Sequence, residues 1–388
     1  MKKNSFVRTI LINIGIFVGF LIILNFLIIT GWEARRFINY IKEVTSGPKL
    51  EKVDPRALLP NYKNEPWAKE FFRDFNTLKD DNYKSYIGWR KTAFNSQYIN
   101  IDSAGERITP QKSNKIDSIY NVIFLGGSTM WGTGAPDDGT IPAFFGKGGN
   151  GTYKVTNFGE SGYRAIQSYI YLMLKFNEGL KTDWVISYDG VNEAVGFLDN
   201  NEAVSTYAEN RMRQKLKQKK GLSDFVTNLT YRNFLLGPIE NTISRFKNKQ
   251  LIIPKRSVIL TNERIDEVAR TLLDSWLVTK DLAHKNQAKY LAVLQPNAAL
   301  GKPNISYLNF NEYESLLMQT YDILYKRVKE LLIKEAKYAE LKAHVLDLTN
   351  SLDGEEYFYI DWCHVSPNGN KVIANHILQK IKEINIKN

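Results

Sequence analysis

The stretch Asn121-Val-Ile-Phe-Leu-Gly-Gly-Ser-Thr-Met-Trp-Gly132 decides how this chain is read. Val122 to Leu125 form an unbroken apolar run with β-branched members, the pattern of a short strand buried on both faces. Gly126 and Gly127 permit a sharp turn directly after it, and Ser128 stands on that turn. Open α/β sheets place their ligands outside the carboxyl ends of parallel strands, so a hydroxyl here sits where chemistry is done. Gly-Gly-Ser alone is equally an ordinary turn. Its meaning depends on what the other strand ends supply.

Working outward, short apolar runs alternate with helical stretches, which predicts a parallel sheet with helices on both faces. The later strands are expected at Tyr153 to Phe158, Trp184 to Tyr188, Tyr290 to Leu294 and His344 to Leu348. Helices are expected at Ala165 to Glu178, Glu263 to Lys285, Asn311 to Ala339 and Pro367 to Ile384. Ser366 is placed to cap the last of these, and Pro367 suits its first position. Upstream, Trp67 to Phe75 reads as a short amphipathic helix. Tyr86 to Arg90 and Ser96 to Asp102 read as the strands of a small β-hairpin bracing the core, with Trp89 and Tyr98 as packing aromatics.

The bulk numbers bound the function. A chain of 388 residues with 43% hydrophobic and 24% charged residues is globular. Its net charge of +11 is carried by scattered lysines with one dense run, Arg211 to Lys220, so no reading head for nucleic acid is expected. That run lies in an insertion, residues 200–261, and is read first as a solvated helix face, with contact to an anionic bilayer as the sharper alternative. The single cysteine, Cys363, excludes an internal disulfide and is read as a packing residue. His284, His344 and His376 are read as structural, and neither a cofactor nor a metal site is expected.

At the amino terminus, the basic leader Met1 to Arg8 precedes an apolar run from Ile10 to Ile29, roughly the twenty residues a helix needs to cross a bilayer. No small-residue cleavage site follows it, and Trp32 suits an interface, so an uncleaved transmembrane anchor is expected. The resulting plan has a leader and anchor over 1–30 and a proline-punctuated extension over 31–118. The sheet domain follows over 119–388 and lies outside the cytoplasm, periplasmic or at the cell surface.

The partners of Ser128 come from three further strand ends. Val155-Thr-Asn-Phe-Gly-Glu-Ser-Gly162 turns tightly into a helix and offers a main-chain amide at Gly162. Asp189-Gly-Val-Asn-Glu193 presents Asn192. Tyr359-Ile-Asp-Trp-Cys-His364 offers Asp361 and His364 just before the last helix. Acyl transfer needs those types: a nucleophile, a base, a group to orient the base, and donors for an oxyanion. His364 can deprotonate Ser128, and Asp361 can fix the tautomer of His364 if the loop turns the two side chains together.

The order Gly-Gly-Ser128, Asn157-x-Gly-x-x-Gly162, Gly190-x-Asn192-Glu and Asp361-x-x-His364 resembles the four blocks of the SGNH (GDSL-type) hydrolase superfamily over residues 120 to 385. The resemblance implies a flavodoxin-like α/β/α sandwich of about five parallel strands. It also implies Ser128 as nucleophile, His364 as base and Asp361 as its orienter, with Ser128, Gly162 and Asn192 as the oxyanion hole. Gly127 stands where the commonest form has Asp, and Glu193 where Asp is usual. The activity implied is that of a membrane-tethered esterase or O-acyltransferase. Its substrate would be an acyl, chiefly acetyl, ester of a cell-surface or secreted glycan, and a membrane-bound acyl-donor protein is a candidate partner. A non-catalytic glycan-binding scaffold and a lipase or thioesterase are the alternatives.

Overall fold

The computed structural model describes residues 2–45, 53–79, 82–110, 120–200, 202–206 and 261–387, with the single positions 209 and 213. The chain divides into two compact units, Met1–Lys52 with Met212–Ser257, and Val53–Arg211 with Val258–Asn388. In the first, one helix runs Lys2–Thr45. Its apolar side chains point outward all round: Ile10, Leu11, Ile12, Phe17, Phe20, Ile23 and Leu27 are all exposed. The transmembrane helix expected over Ile10 to Ile29 is nevertheless not found as such. Among the described residues no helix is long and apolar enough to cross a membrane.

Among the described residues the second unit holds nine strands. Two antiparallel pairs come first, β1 (Asn82–Lys84) with β2 (Gly88–Arg90), and β3 (Phe94–Asn95) with β4 (Asn100–Ile101). The one expected hairpin is therefore two, because the two stretches each pair locally and not with each other. The central sheet holds β5 (Tyr120–Gly126), β6 (Tyr153–Asn157), β7 (Trp184–Asp189), β8 (Lys289–Leu294) and β9 (Val345–Asp347). Its order is β6-β5-β7-β8-β9, every pair parallel. Taken in chain order this is 2-1-3-4-5, the doubly wound pattern in which the chain reverses direction across the first strand and leaves a crevice there.

Side-chain alternation explains the layering. Ile123 and Leu125 of β5 and Val185 of β7 face one core. The helices Ala165–Asn177, Val191–Asn200, Asn262–Lys285 and Glu312–Lys334 cover it. Val122, Phe124 and Ile186 face the other, under Ile141–Gly148 and the last helix, Pro367–Lys387. Each fully buried aliphatic or aromatic side chain of this kind contributes about 1.5–3 kcal/mol of transfer free energy. The sandwich is thus three-layered.

Two local expectations change. The helix expected over Asn311 to Ala339 stops at Lys334, where Glu335 takes an extended conformation (φ −94°, ψ 124°) before a short turn. The break lets Tyr338 enter the core, fully buried, with its hydroxyl donated to Asp274 at 2.8 Å. At the last helix, Ser366 Oγ is buried without a hydrogen-bond partner, so the cap expected of its side chain is not made. The start rests on Pro367 and on Asn370, whose main-chain N–H donates to Ser366 O at 3.0 Å.

The extension packs as a third small core. The helix Ala68–Phe75 brings Phe71 and Phe72 against Tyr62, Ile99 and Ile101, and against Trp131 and Ile360 from two of the loops at the sheet's carboxyl edge. The basic run Arg211 to Lys220, apart from Arg213, and most of the insertion 200–261 lie outside the described residues. His284 and His344 stack edge-on at 5.4 Å, and His376 is exposed on the last helix.

Candidate active site

The carboxyl ends of β5, β6 and β7 lie at one edge, with Phe124 opposite Asn157 and Gly126 opposite Tyr188. Ser128 follows β5 within two residues and opens the single turn Ser128–Trp131. The turn needs its glycines. Gly126 has φ +153°, and a Cβ there would lie 2.6 Å from Tyr188 O. A Cβ on Gly127 would lie 2.2 Å from Asn192 Nδ2. Any larger residue at 127 must therefore evict the carboxamide of Asn192, which gives the Gly127 departure a physical reason.

The structure brings Ser128, His364 and Asp361 into one hydrogen-bonded line. His364 Nε2 is 2.6 Å from Ser128 Oγ, and His364 Nδ1 is 2.6 Å from Asp361 Oδ2. The spacing of three works because the loop coils on the carboxylate. Asp361 Oδ1 accepts the main-chain N–H groups of Cys363 and His364, both at 2.8 Å, which leaves Oδ2 for the ring. A two-residue closure, Ile360 N–H to His364 O at 2.9 Å, holds the loop shut. Burial by itself would raise the Asp361 carboxyl, but the His364 ring and these three hydrogen bonds outweigh it and hold the pKa at about 2. Asp361 therefore stays an acceptor, and the ring carries its proton on Nδ1 and offers a lone pair at Nε2 to the serine hydroxyl.

The donors expected for an oxyanion converge less completely. Among the described residues neither the Ser128 nor the Gly162 main-chain N–H has an intramolecular acceptor. Gly162 has φ +74° and lines a small cleft together with Asn192, Arg164, Val195, Gly196 and Asp199. Asn192 Nδ2 spends one hydrogen on Tyr163 O at 2.7 Å, leaving its second for a ligand.

Glu193, the second departure, is 1% exposed and ties two of the loops together. Its carboxylate accepts Gly190 N–H at 3.0 Å and Ala165 N–H at 2.9 Å, so the longer side chain spans from the Asn192 turn to the helix after Gly162. Beneath it, burial and the neighbouring Glu193 carboxylate push Asp189 well above the usual range, and its Oδ2 accepts the Trp276 indole N–H at 2.9 Å. Cys363 is buried with Sγ 3.6 Å from His364 Nδ1, and burial followed by the Asp361 charge raises its thiol well above the ordinary value. A neutral thiol is a poor nucleophile.

Sequence reading missed the buried charges that brace these loops. Arg107, 2% exposed, donates to Trp131 O, Gly132 O and Ala135 O just past Ser128, and to Asp137 Oδ1 at 2.8 Å. Arg90, fully buried, donates to Phe158 O and Gly159 O of the loop before Gly162. Trp89 is not free for ligands: its indole donates to Ser161 O at 3.2 Å, and its ring meets Tyr163 edge-on at 5.9 Å. The available signal was an arginine in each of two short strand regions of a domain's edge, which reads as surface until the sheet covers it. Asn157, quoted only as part of a motif, donates from Nδ2 to Met130 O at 3.1 Å and so joins the Ser128 loop to the Gly162 loop.

This packing supports a direct prediction. Gly127→Ala displaces Asn192 and lowers turnover about 10²–10³-fold, the scale of one lost oxyanion donor. Steady-state hydrolysis of an activated acetyl ester checks it. A rate within threefold of wild type removes Asn192 from the site.

No protein-family model and no curated protein matches the chain. Among solved structures it is similar to Est24, a carbohydrate acetylesterase from Sinorhizobium meliloti, at 13% identity over 68% of this chain and 99% of that one, TM-score 0.38. It is also similar to a member of the lipolytic protein G-D-S-L family from Veillonella parvula DSM 2008, at 10% identity over 67% and 96%, TM-score 0.36. An acetyl xylan esterase, AlAXEase, matches at 14% identity over 67% and 98%, TM-score 0.34. Likenesses this loose carry no argument about family or activity, and the functional reading rests on the geometry of Ser128, His364 and Asp361.

Proposed function

We propose that this chain is a serine esterase or O-acyltransferase of the SGNH type, acting on a short acyl ester of a glycan. One observation carries the reading: the unbroken line Ser128 Oγ, His364 Nε2, His364 Nδ1, Asp361 Oδ2, with both separations at 2.6 Å. His364 takes the serine proton as Oγ attacks the acyl carbonyl carbon. The oxyanion is received by the Ser128 and Gly162 amides and by Asn192. Collapse expels the sugar alkoxide, which regains the proton from His364. Water or a second sugar hydroxyl then attacks the acyl-enzyme, and this choice alone separates esterase from transferase.

The test is a fluorophosphonate probe on the full chain. It labels wild type and not Ser128→Ala, and a screen of acetylated glycans releases acetate or, with an acceptor sugar, moves it. Absence of labelling and of acetate release overturns the enzyme and leaves the glycan-binding scaffold. A rate that rises with acyl-chain length selects the lipase reading.

We further propose an extracytoplasmic domain on a membrane tether, supported by the apolar run Ile10 to Ile29 and by the exposure of Ile10, Leu11, Ile12, Phe17, Phe20, Ile23 and Leu27. The full chain is expected in the membrane fraction after alkaline carbonate washing, and the chain lacking residues 2–45 in the soluble one. Full-length protein washed free by carbonate overturns the tether.

A further inference from the structure

Three different ligating side chains converge behind the base. Asp361 Oδ2, Cys363 Sγ and His364 Nδ1 all lie within 4.8 Å of one another. Adjacent residues in a chain rarely aim their side chains at one point, yet the coil around Asp361 brings Cys363 Sγ to 3.6 Å from His364 Nδ1. A tetrahedral zinc with Zn–S of about 2.3 Å and Zn–N of about 2.0–2.1 Å requires a sulfur-to-nitrogen separation of about 3.6 Å. That pair is already set for the metal. Asp361 Oδ2, at 2.6 Å from Nδ1, is closer than two ligands of one zinc stand and must swing outward. Its side chain is 27% exposed, and the swing breaks its hydrogen bond to the ring while Oδ1 keeps the main-chain N–H groups of Cys363 and His364.

We propose that Asp361, Cys363 and His364 form an inhibitory site for a thiophilic divalent cation such as Zn²⁺, which switches off the proposed hydrolase by capturing its base. The binding part stands on the cluster alone, and the inhibition rests on the Ser128–His364 reading. The proton balance gives the mechanism. Cys363 releases its thiol proton to solvent and binds as thiolate. The His364 proton leaves Nδ1, which takes the metal, and reappears on Nε2. An Nε2 that carries a proton cannot accept one from Ser128, so nucleophile activation stops, and Asp361 becomes a ligand instead of an orienter. A water molecule completes the four positions. Chelation restores the Nδ1–H tautomer and the activity.

The experiment uses the full chain in detergent and Co²⁺ as the spectroscopic probe. Wild type gives the thiolate-to-Co²⁺ charge-transfer absorption, titrates at one equivalent, and loses the band to added Zn²⁺. Cys363→Ser and Cys363→Ala lose the band and bind Zn²⁺ at least about tenfold more weakly. Two such variants are used because Cys363 is buried, and fluorophosphonate labelling confirms that each is folded. On the activity side, Zn²⁺ stops acetyl-ester hydrolysis by wild type and EDTA restores it, each variant being compared with its own metal-free rate. Absence of the band in wild type, or a Zn²⁺ affinity in both variants equal to that of wild type, overturns the proposal. A band in a protein that hydrolyses nothing upholds the metal site and removes the hydrolase.

Discussion

Ser128→Ala is expected to lower ester hydrolysis by about 10⁶-fold, the loss seen when the nucleophile of a serine triad is removed elsewhere. The argument is geometric. Ser128 Oγ is the only partner of His364 Nε2 among the described residues, at 2.6 Å. Among the described residues no other hydroxyl hydrogen-bonds the His364 ring. Thr129, the next residue, turns inward, buried, with its Oγ1 accepting from Gln295 Nε2 at 3.0 Å. Cys363 holds a neutral thiol on the far side of the ring. The variant should fold as wild type does, since Ser128 Oγ makes a single hydrogen bond, to His364 Nε2, and thermal unfolding monitored by circular dichroism checks this. Retention of more than about 1% of the rate in a folded Ser128→Ala protein transfers the nucleophile's role elsewhere and ends the acyl-enzyme reading.

Asp361→Asn carries the second largest expected effect, about 10⁴-fold in turnover. An amide at this position can donate to Nδ1 and so favours the tautomer with its proton on Nε2, which faces Ser128. The same substitution has a signature in stability. The Asp361 carboxyl is held at about 2, below its ordinary 3.8, by the ring and main-chain N–H groups around it. A depressed carboxylate stabilises the fold fully above its unfolded value and loses that contribution as pH falls through the folded one. The melting temperature of wild type should therefore exceed that of Asp361→Asn at neutral pH, and the gap should close between about pH 4 and 2. A gap independent of pH in that window means that the carboxylate is not held as described.

The identity of the strands was legible because each is short, and β5, β6 and β7 are each followed within two residues by glycine, a local pattern that needs no knowledge of its neighbours. Tyr153, Trp184 and Lys289 begin their strands within a residue of where the pattern puts them. The four site blocks were legible for the same reason, as they fall where strands end. The two hairpins were misread as one because strand runs of two or three residues have no periodicity to follow. The break at Glu335 was hidden because apolar spacing continued through it to Tyr338 and Leu341, both buried.

What the sequence by itself determined is therefore the list of parts: a parallel α/β sheet, a serine on its first turn, and Gly162, Asn192, Asp361 and His364 at later strand ends. The tertiary structure alone decided what those parts do to one another. It set Gly127 against Asn192, 65 positions on (192 − 127), whose carboxamide must shift to admit a Cβ. It turned Glu193 from a departure into a clamp between Gly190 and Ala165, and Arg90 and Arg107 from apparent surface charges into buried braces. It set Cys363 beside the base. Hydrophobic periodicity is written along the chain, whereas steric exclusion and hydrogen-bond satisfaction act through space and exist only once the sheet has closed.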